Sequence, residues 1–155
     1  GFTESRKSFI LPNETKRLLA LNLDAQSVGD IQLNNIAWTK QLDYEKIKEE
    51  RFNFSIENIE KIDPLTEISE STPINRIRFE AVNNSAFNFR NVVFKIFIFS
   101  GSQISAINQV TAANFMSGQK RILEATFFQN IGSANNIEIT PEVNFLDQKQ
   151  ILKIE

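Results

Sequence analysis

An all-β chain built as a sandwich of packed sheets is what this sequence predicts, and three observations carry the prediction. Apolar residues recur at every second position in short segments. Gly, Pro and Asn turn chemistry breaks those segments at regular intervals. Only one stretch, residues 43–51, reads as helix instead.

In chain order, residues 7–11 are the first strand candidate, closed by the corner Leu11-Pro12-Asn13. In 17–23, Leu19, Leu21 and Leu23 share one face, and Val28-Gly29-Asp30 turns the chain into a further strand at 31–39. Residues 43–51 (DYEKIKEER) read as about two helical turns, with Asp43 placed to cap and Tyr44 and Ile47 three apart. A helix shorter than about 12 residues does not hold alone, so this one must lean on a sheet or serve as a linker. A strand at 52–62 and a polar loop at 64–73, with a proline at each end, come next.

The second half alternates more strongly. In 76–82, Ile77, Phe79 and Ala81 face one way and Arg76, Arg78 and Glu80 the other. In 91–100 both faces are apolar: Phe94, Ile96 and Ile98 against Val93, Phe97 and Phe99. A strand apolar on both faces belongs in mid-sheet, with cover on its outer side. Ser100-Gly101-Ser102 predicts a tight hairpin into 103–112. Ser117-Gly118 precedes 120–128, where Leu123, Ala125 and Phe127 align, and Ile131-Gly132-Ser133 precedes the last strand at 136–144.

Two stretches match at an offset of 104 residues. Lys16-Arg17-Leu18-Leu19 corresponds to Lys120-Arg121-Ile122-Leu123, Leu23 to Phe127, Leu33 to Ile137, and Leu42-Asp43 to Leu146-Asp147. Each copy opens with an apolar residue, a turn and then Lys-Arg: Phe9 to Arg17 in the first, Phe115 to Arg121 in the second, with two extra residues in the first. A repeat gives three parts: residues 1–44 as the C-terminal half of a truncated first sandwich, 45–51 as a helical linker, and 52–155 as a complete sandwich. The competing reading is a single nine-stranded sandwich. The chain opens on Gly1, not Met, so it is expected to be a processed product or a fragment.

Composition narrows the chemistry. There is no His and no Cys, which removes imidazole bases, thiolate nucleophiles, disulfides and the usual zinc sites. A net charge of −2 gives no basic footprint for nucleic acid. The longest apolar run, 92–99, is interrupted by Lys95 and falls far short of the roughly 18 to 20 residues of a spanning helix. The glycines at 29, 101, 118 and 132 sit singly, so no phosphate loop forms. Glu49-Glu50, Glu67 with Glu70, and Glu4 read as solvated carboxylates, and Asp24, Asp30, Asp43, Asp63 and Asp147 are too scattered for a calcium loop. No cofactor and no enzymatic activity are therefore expected. The 17 Asn and 20 Ile fit a compositional bias, and N-x-S/T sequons at Asn13, Asn53 and Asn83 match chance in so Asn-rich a chain.

Aromatics supply the candidate contacts. Phe87 and Phe89 flank Asn88 and precede Arg90 in an expected loop, where they either stack on a ligand or fold back on the core edge. Trp38, at a strand end near the expected junction, reads as an inter-domain anchor or as a sugar platform. Phe87, Phe89, Arg90 and Trp38 form the candidate interaction surface, together with free strand edges.

Residues 74–144 resemble the F-x-L-Y-D family of bacterial extracytoplasmic β-sandwich domains. Val82-Asn83-Asn84-Ser85 fits the family's strand ending in N-x-S, and Ile96-Phe97-Ile98-Phe99-Ser100 occupies the namesake position by residue type. Ser117-Gly118-Gln119-Lys120 fits its S-G-Q turn, and Pro12-Asn13-Glu14-Thr15-Lys16 would be that turn in the first copy. The whole chain also resembles tandem sandwich regions of membrane-anchored proteins from small uncultured bacteria. These resemblances imply an immunoglobulin-like sandwich held outside the cytoplasm, at the cell surface or envelope, by an upstream anchor. The implied role is a non-enzymatic stalk or protein-interaction domain whose partner is a protein, a cell-surface or an envelope component, with no catalytic residues to carry over. Two alternatives stand beside it. One is a carbohydrate- or cell-wall-binding sandwich using Trp38, Tyr44 or the Phe87/Phe89 pair. The other is an accessory domain of an enzyme whose catalytic part lies outside the chain.

Overall fold

Alternation says which side of a strand is buried, but not which strand lies beside it. That is answered by a computed structural model, which describes residues 8–19, 32, 34–62, 74–128, 131 and 135–153. The chain divides into two compact units, Gly1–Tyr44 and Glu45–Glu155.

Among the described residues the strands lie in the second unit: β1 (Phe54–Ile62), β2 (Asn75–Asn83), β3 (Phe89–Ser100), β4 (Gln103–Phe115), β5 (Lys120–Phe127) and β6 (Asn136–Glu142). They form two antiparallel sheets, ordered β1-β2-β5 and β4-β3-β6. The expected central strand, β3, lies between β4 and β6. Its inner row, Val92, Phe94, Ile96 and Ile98, is fully buried, and on the opposite face Phe97 and Lys95 are buried too. Lys95 forms an ion pair with Glu142 of β6. The hairpin joining β3 to β4 has Gly101 at φ +62, where a residue without Cβ turns at little cost.

The two sheets meet through aromatic rings. Phe79 of β2 lies 5.6 Å from Phe94 of β3, and Phe94 lies 6.2 Å from Phe115 of β4. Phe54 of β1 contacts both Phe89 and Phe115, at 5.6 and 6.2 Å. Phe79, Phe89, Phe94 and Phe115 are fully buried, so the phenylalanine excess fills the layer between the sheets. At one lateral edge β5 is tied to β4: Asn108 Nδ2 donates to the Thr126 carbonyl at 2.7 Å, and Arg121 Nη2 to that of Asn114 at 2.8 Å.

A helix, α1 (Tyr44–Arg51), precedes β1. Its start corrects the expected cap: Asp43 stands at φ +55, in the left-handed region rather than the extended geometry of an N-cap. Its end is anchored on the sandwich. Arg51 Nη1 donates to the Phe145 carbonyl at 3.2 Å, and Phe52 packs 5.3 Å from Phe54 and 5.6 Å from Phe145.

The first unit differs from expectation. Among its described residues, 8–19, 32 and 34–43 hold no strand, although strands were expected at 7–11, 17–23 and 31–39. The remainder of those spans lies outside the described residues, as do the expected turns at 28–30 and 132–133 and the loop at 64–73. A strand exists only where a neighbour accepts its N–H groups and donates to its carbonyls, and alternation supplies no neighbour. Leu11 is buried, whereas Leu18 and Ile36 are 55% and 65% exposed.

Candidate functional site

One end of the second unit holds two buried polar side chains side by side, Asn83 and Ser85. Asn83, the last residue of β2, is fully buried. Its Nδ2 donates to the carbonyls of Phe87 at 2.8 Å and Phe115 at 3.1 Å, and its Oδ1 accepts from the Ser85 N–H at 3.1 Å and Oγ at 2.7 Å. The turn before β5 closes on the same point. Ser117 Oγ donates to the Ser85 carbonyl at 2.6 Å, and the Gly118 N–H to the Asn83 carbonyl at 2.7 Å. The Asn83 N–H in turn donates to the Gln119 carbonyl at 3.0 Å. The N-x-S corner and the S-G-Q turn are thus two halves of one lock, and the Asn83 amide of that sequon is spent inside the fold.

The four aromatic and cationic candidates lie in different settings. Phe87 is half-buried beside this lock, with the Arg51 guanidinium 5.0 Å from its ring centroid. Phe89 is not a loop residue: it opens β3, is fully buried, and forms a bridge with Ile151. The alternative that it folds into the core is the one the structure displays, because Phe54 and Phe115 already occupy that end of the interior. Phe87 and Phe89 therefore do not form a joint platform. Arg90 is exposed, and its Nε donates to the Lys149 carbonyl at 3.3 Å. Trp38 belongs to the first unit and is 82% exposed, while Tyr44 is buried.

A surface that alternation alone does not reveal is the outer face of the β1-β2-β5 sheet. Register sets Arg78 between Glu60 and Glu124, and Glu80 between Glu57 and Ile122. Glu124 receives Arg76 at 3.1 Å and Arg78 at 3.2 Å. Lys120 lies 2.9 Å from Glu80 and 3.5 Å from Glu57. Glu80 also accepts from Asn58 Nδ2 at 2.7 Å. The Lys120 ammonium, then the Asn58 amide, hold the Glu80 carboxyl below its ordinary range, and Glu80 raises Lys120 in return. A β-bulge between Glu57 and Glu60, with Asn58 at φ +51, opens a shallow hollow of about 240 Å3 lined by Asn58, Glu60, Arg78, Glu80 and Ile122. The alternation of Arg76, Arg78 and Glu80 was legible; their partners on β5 needed the register.

The Glu80 and Glu124 carboxylates thus tie β2 to its neighbours on this face. Glu49 and Glu50 are exposed on α1. Among the described residues no group of three acidic side chains converges as a metal site, and no helix is long and apolar enough to cross a membrane. No family model, curated protein or solved structure matches the chain.

Proposed function

We propose that this chain is a non-enzymatic, extracytoplasmic β-sandwich module of a membrane-anchored bacterial protein, serving as a stalk or protein-interaction domain. The observation that carries the reading is the lock at Asn83. The second unit uses its buried amide and hydroxyl groups to join two loops, which yields a stiff body suited to spacing a surface away from an anchor. The same lock supports the F-x-L-Y-D resemblance, since the two motifs that carry it are bonded to each other. The immunoglobulin-like assignment is part of this proposal. The orders β1-β2-β5 and β4-β3-β6 fit strands A-B-E and C′-C-F of such a sandwich.

Cell fractionation tests it. In cells producing the complete reading frame, the module should sediment with membranes and be cut by protease added outside the permeability barrier. Recovery in the soluble cytoplasmic fraction would overturn the proposal.

One observation favours a second reading, a carbohydrate- or cell-wall-binding module: the 82% exposure of Trp38. Peptidoglycan pull-down lost in Trp38→Ala would support it. Phe89→Ala is unsuited to that test, because it empties the core.

A further inference from the structure

The three N-x-S/T sequons share one sequence pattern, and the fold sorts them. At Asn83 the carboxamide is fully buried and holds the Phe87 and Phe115 carbonyls, while the Ser85 hydroxyl donates back to it. Asn53 is exposed, but the residues after it are committed. The Phe54 ring packs against Phe89 and Phe115, and Ser55 Oγ accepts from Asn84 Nδ2 at 2.9 Å. The Asn53 carbonyl itself accepts the Asn84 N–H at 2.8 Å. Asn13-Glu14-Thr15 differs. Asn13 and Thr15 are both exposed, and among the described residues neither the Asn13 carboxamide nor the Thr15 hydroxyl has a hydrogen-bond partner.

Local structure presents this pair outward. Leu11 is buried and fixes one foot of the loop. Lys16 fixes the other, its Nζ donating to the Phe9 carbonyl at 2.6 Å and lying 3.5 Å from the Phe9 ring centroid. Between them the Glu14 N–H donates to the Leu11 carbonyl at 3.2 Å, and Asn13 stands in that turn at φ +58, which asparagine tolerates better than most residues. Gly118 is left-handed too, in the turn 116–119, but its N–H is tied into the Asn83 lock. Joining a glycan to asparagine takes an accessible carboxamide, an accessible hydroxyl two residues on and a backbone that a transferase can draw into its cleft. Of the three sequons only the one at Asn13 supplies all of these. We infer that Asn13 is a glycan-attachment site, with an oligosaccharide on a polyprenyl pyrophosphate as the donor. Asn13 Nδ2 attacks C1 of the first sugar, the bond from C1 to the pyrophosphate oxygen breaks, and the lipid pyrophosphate leaves with the electron pair. One amide proton passes to a base of the transferase. The inference rests on the extracytoplasmic reading, which puts the chain on the side of the membrane where such donors are used.

Transfer to the folded full chain tests this. The chain is incubated with a purified oligosaccharyltransferase that accepts the plain N-x-S/T pattern and with its lipid-linked donor, and occupancy is read by glycopeptide mass spectrometry. Asn13 should be modified at least about tenfold faster than Asn53 or Asn83, whose sequons must first open. Asn13→Gln and Thr15→Val should each abolish that product while melting as the parent does. A folded chain left unmodified at Asn13, whether or not a free peptide of residues 9–19 is modified, would overturn the inference. Equal transfer to Asn53 or Asn83 would overturn it as well. The assay reads the site in vitro, so its outcome is separate from that of the fractionation.

Discussion

Asn83 shows how much one side chain settles. Its amide donates to two carbonyls on different segments and accepts twice from Ser85, leaving no polar atom of the corner to bury unpaired. Asn83→Ala should cost about 2–4 kcal/mol, since it removes the amide donor from the Phe87 and Phe115 carbonyls and the acceptor from the Ser85 N–H. Asn83→Asp should cost at least as much, because a carboxylate cannot donate to either. Urea denaturation reads both, and losses under about 0.5 kcal/mol for the pair would show the lock to be incidental. Gly118→Ala separates backbone from packing. A Cβ there meets nothing within 4 Å, so the expected loss of about 1–2 kcal/mol comes from the left-handed φ alone. The Asn excess also gains a physical role at this scale. The described non-glycine residues with positive φ are Asn13, Asn35, Asp43, Asn58 and Asn114, the residue types that tolerate it best.

Glu80 and Lys120 give a prediction with a definite sign. A depressed carboxyl contributes stability that is present above its unfolded value and lost as pH falls through the folded one. A raised ammonium contributes below its unfolded value and loses it as pH rises through the folded one. The pair therefore supports the sheet from mildly acidic to mildly alkaline pH. Carboxyl-detected NMR should place the Glu80 midpoint below that of an unperturbed glutamate, and Lys120→Met should move it upward. An unchanged midpoint in that variant would remove Lys120 as the cause.

Elements were legible where burial and register agreed. The predicted 76–82, 91–100 and 120–128 correspond to β2, β3 and β5 with small shifts at their ends. Phe89 and Arg90 read as loop because the pattern there is aromatic-polar-aromatic-charged, and the ladder to Phe115 that makes them strand lies 26 residues away. The expected strands before residue 40 failed in their described parts for the complementary reason: an alternating segment without a ladder stays irregular. The edges of the second unit bear on its use as a contact surface. β1 is bent by its bulge, β6 contains Pro141, and β5 is tied to β4, all of which discourage casual strand addition. α1 illustrates the limit of propensity. Two turns of helix persist because Arg51 holds Phe145 and lies over Phe87. Arg51→Ala should raise amide exchange across residues 45–51 and cost about 1–2 kcal/mol. Unchanged exchange there would mean that α1 is held by something else.

At the scale of the whole molecule, the boundary between the units follows from that anchor. The repeat at an offset of 104 residues places a linker helix at 45–51 and a complete sandwich at 52–155, a division that treats the helix as belonging to neither side. The contacts group it with the strands, since the compact unit begins at Glu45. Arg51 and Phe52 extend the chain of aromatic contacts that runs through Phe54 and Phe115 to Phe94 and Phe79. If the helix is part of the folded body, residues 45–155 should express alone and unfold in one cooperative transition. Residues 52–155 should still fold but be less stable by about 1–2 kcal/mol, the value of the lost Arg51 contacts. Equal stability for the two pieces would make α1 a passive spacer. Failure of both to fold, while the full chain melts in a single step, would instead make all 155 residues one cooperative body and favour the single-sandwich reading.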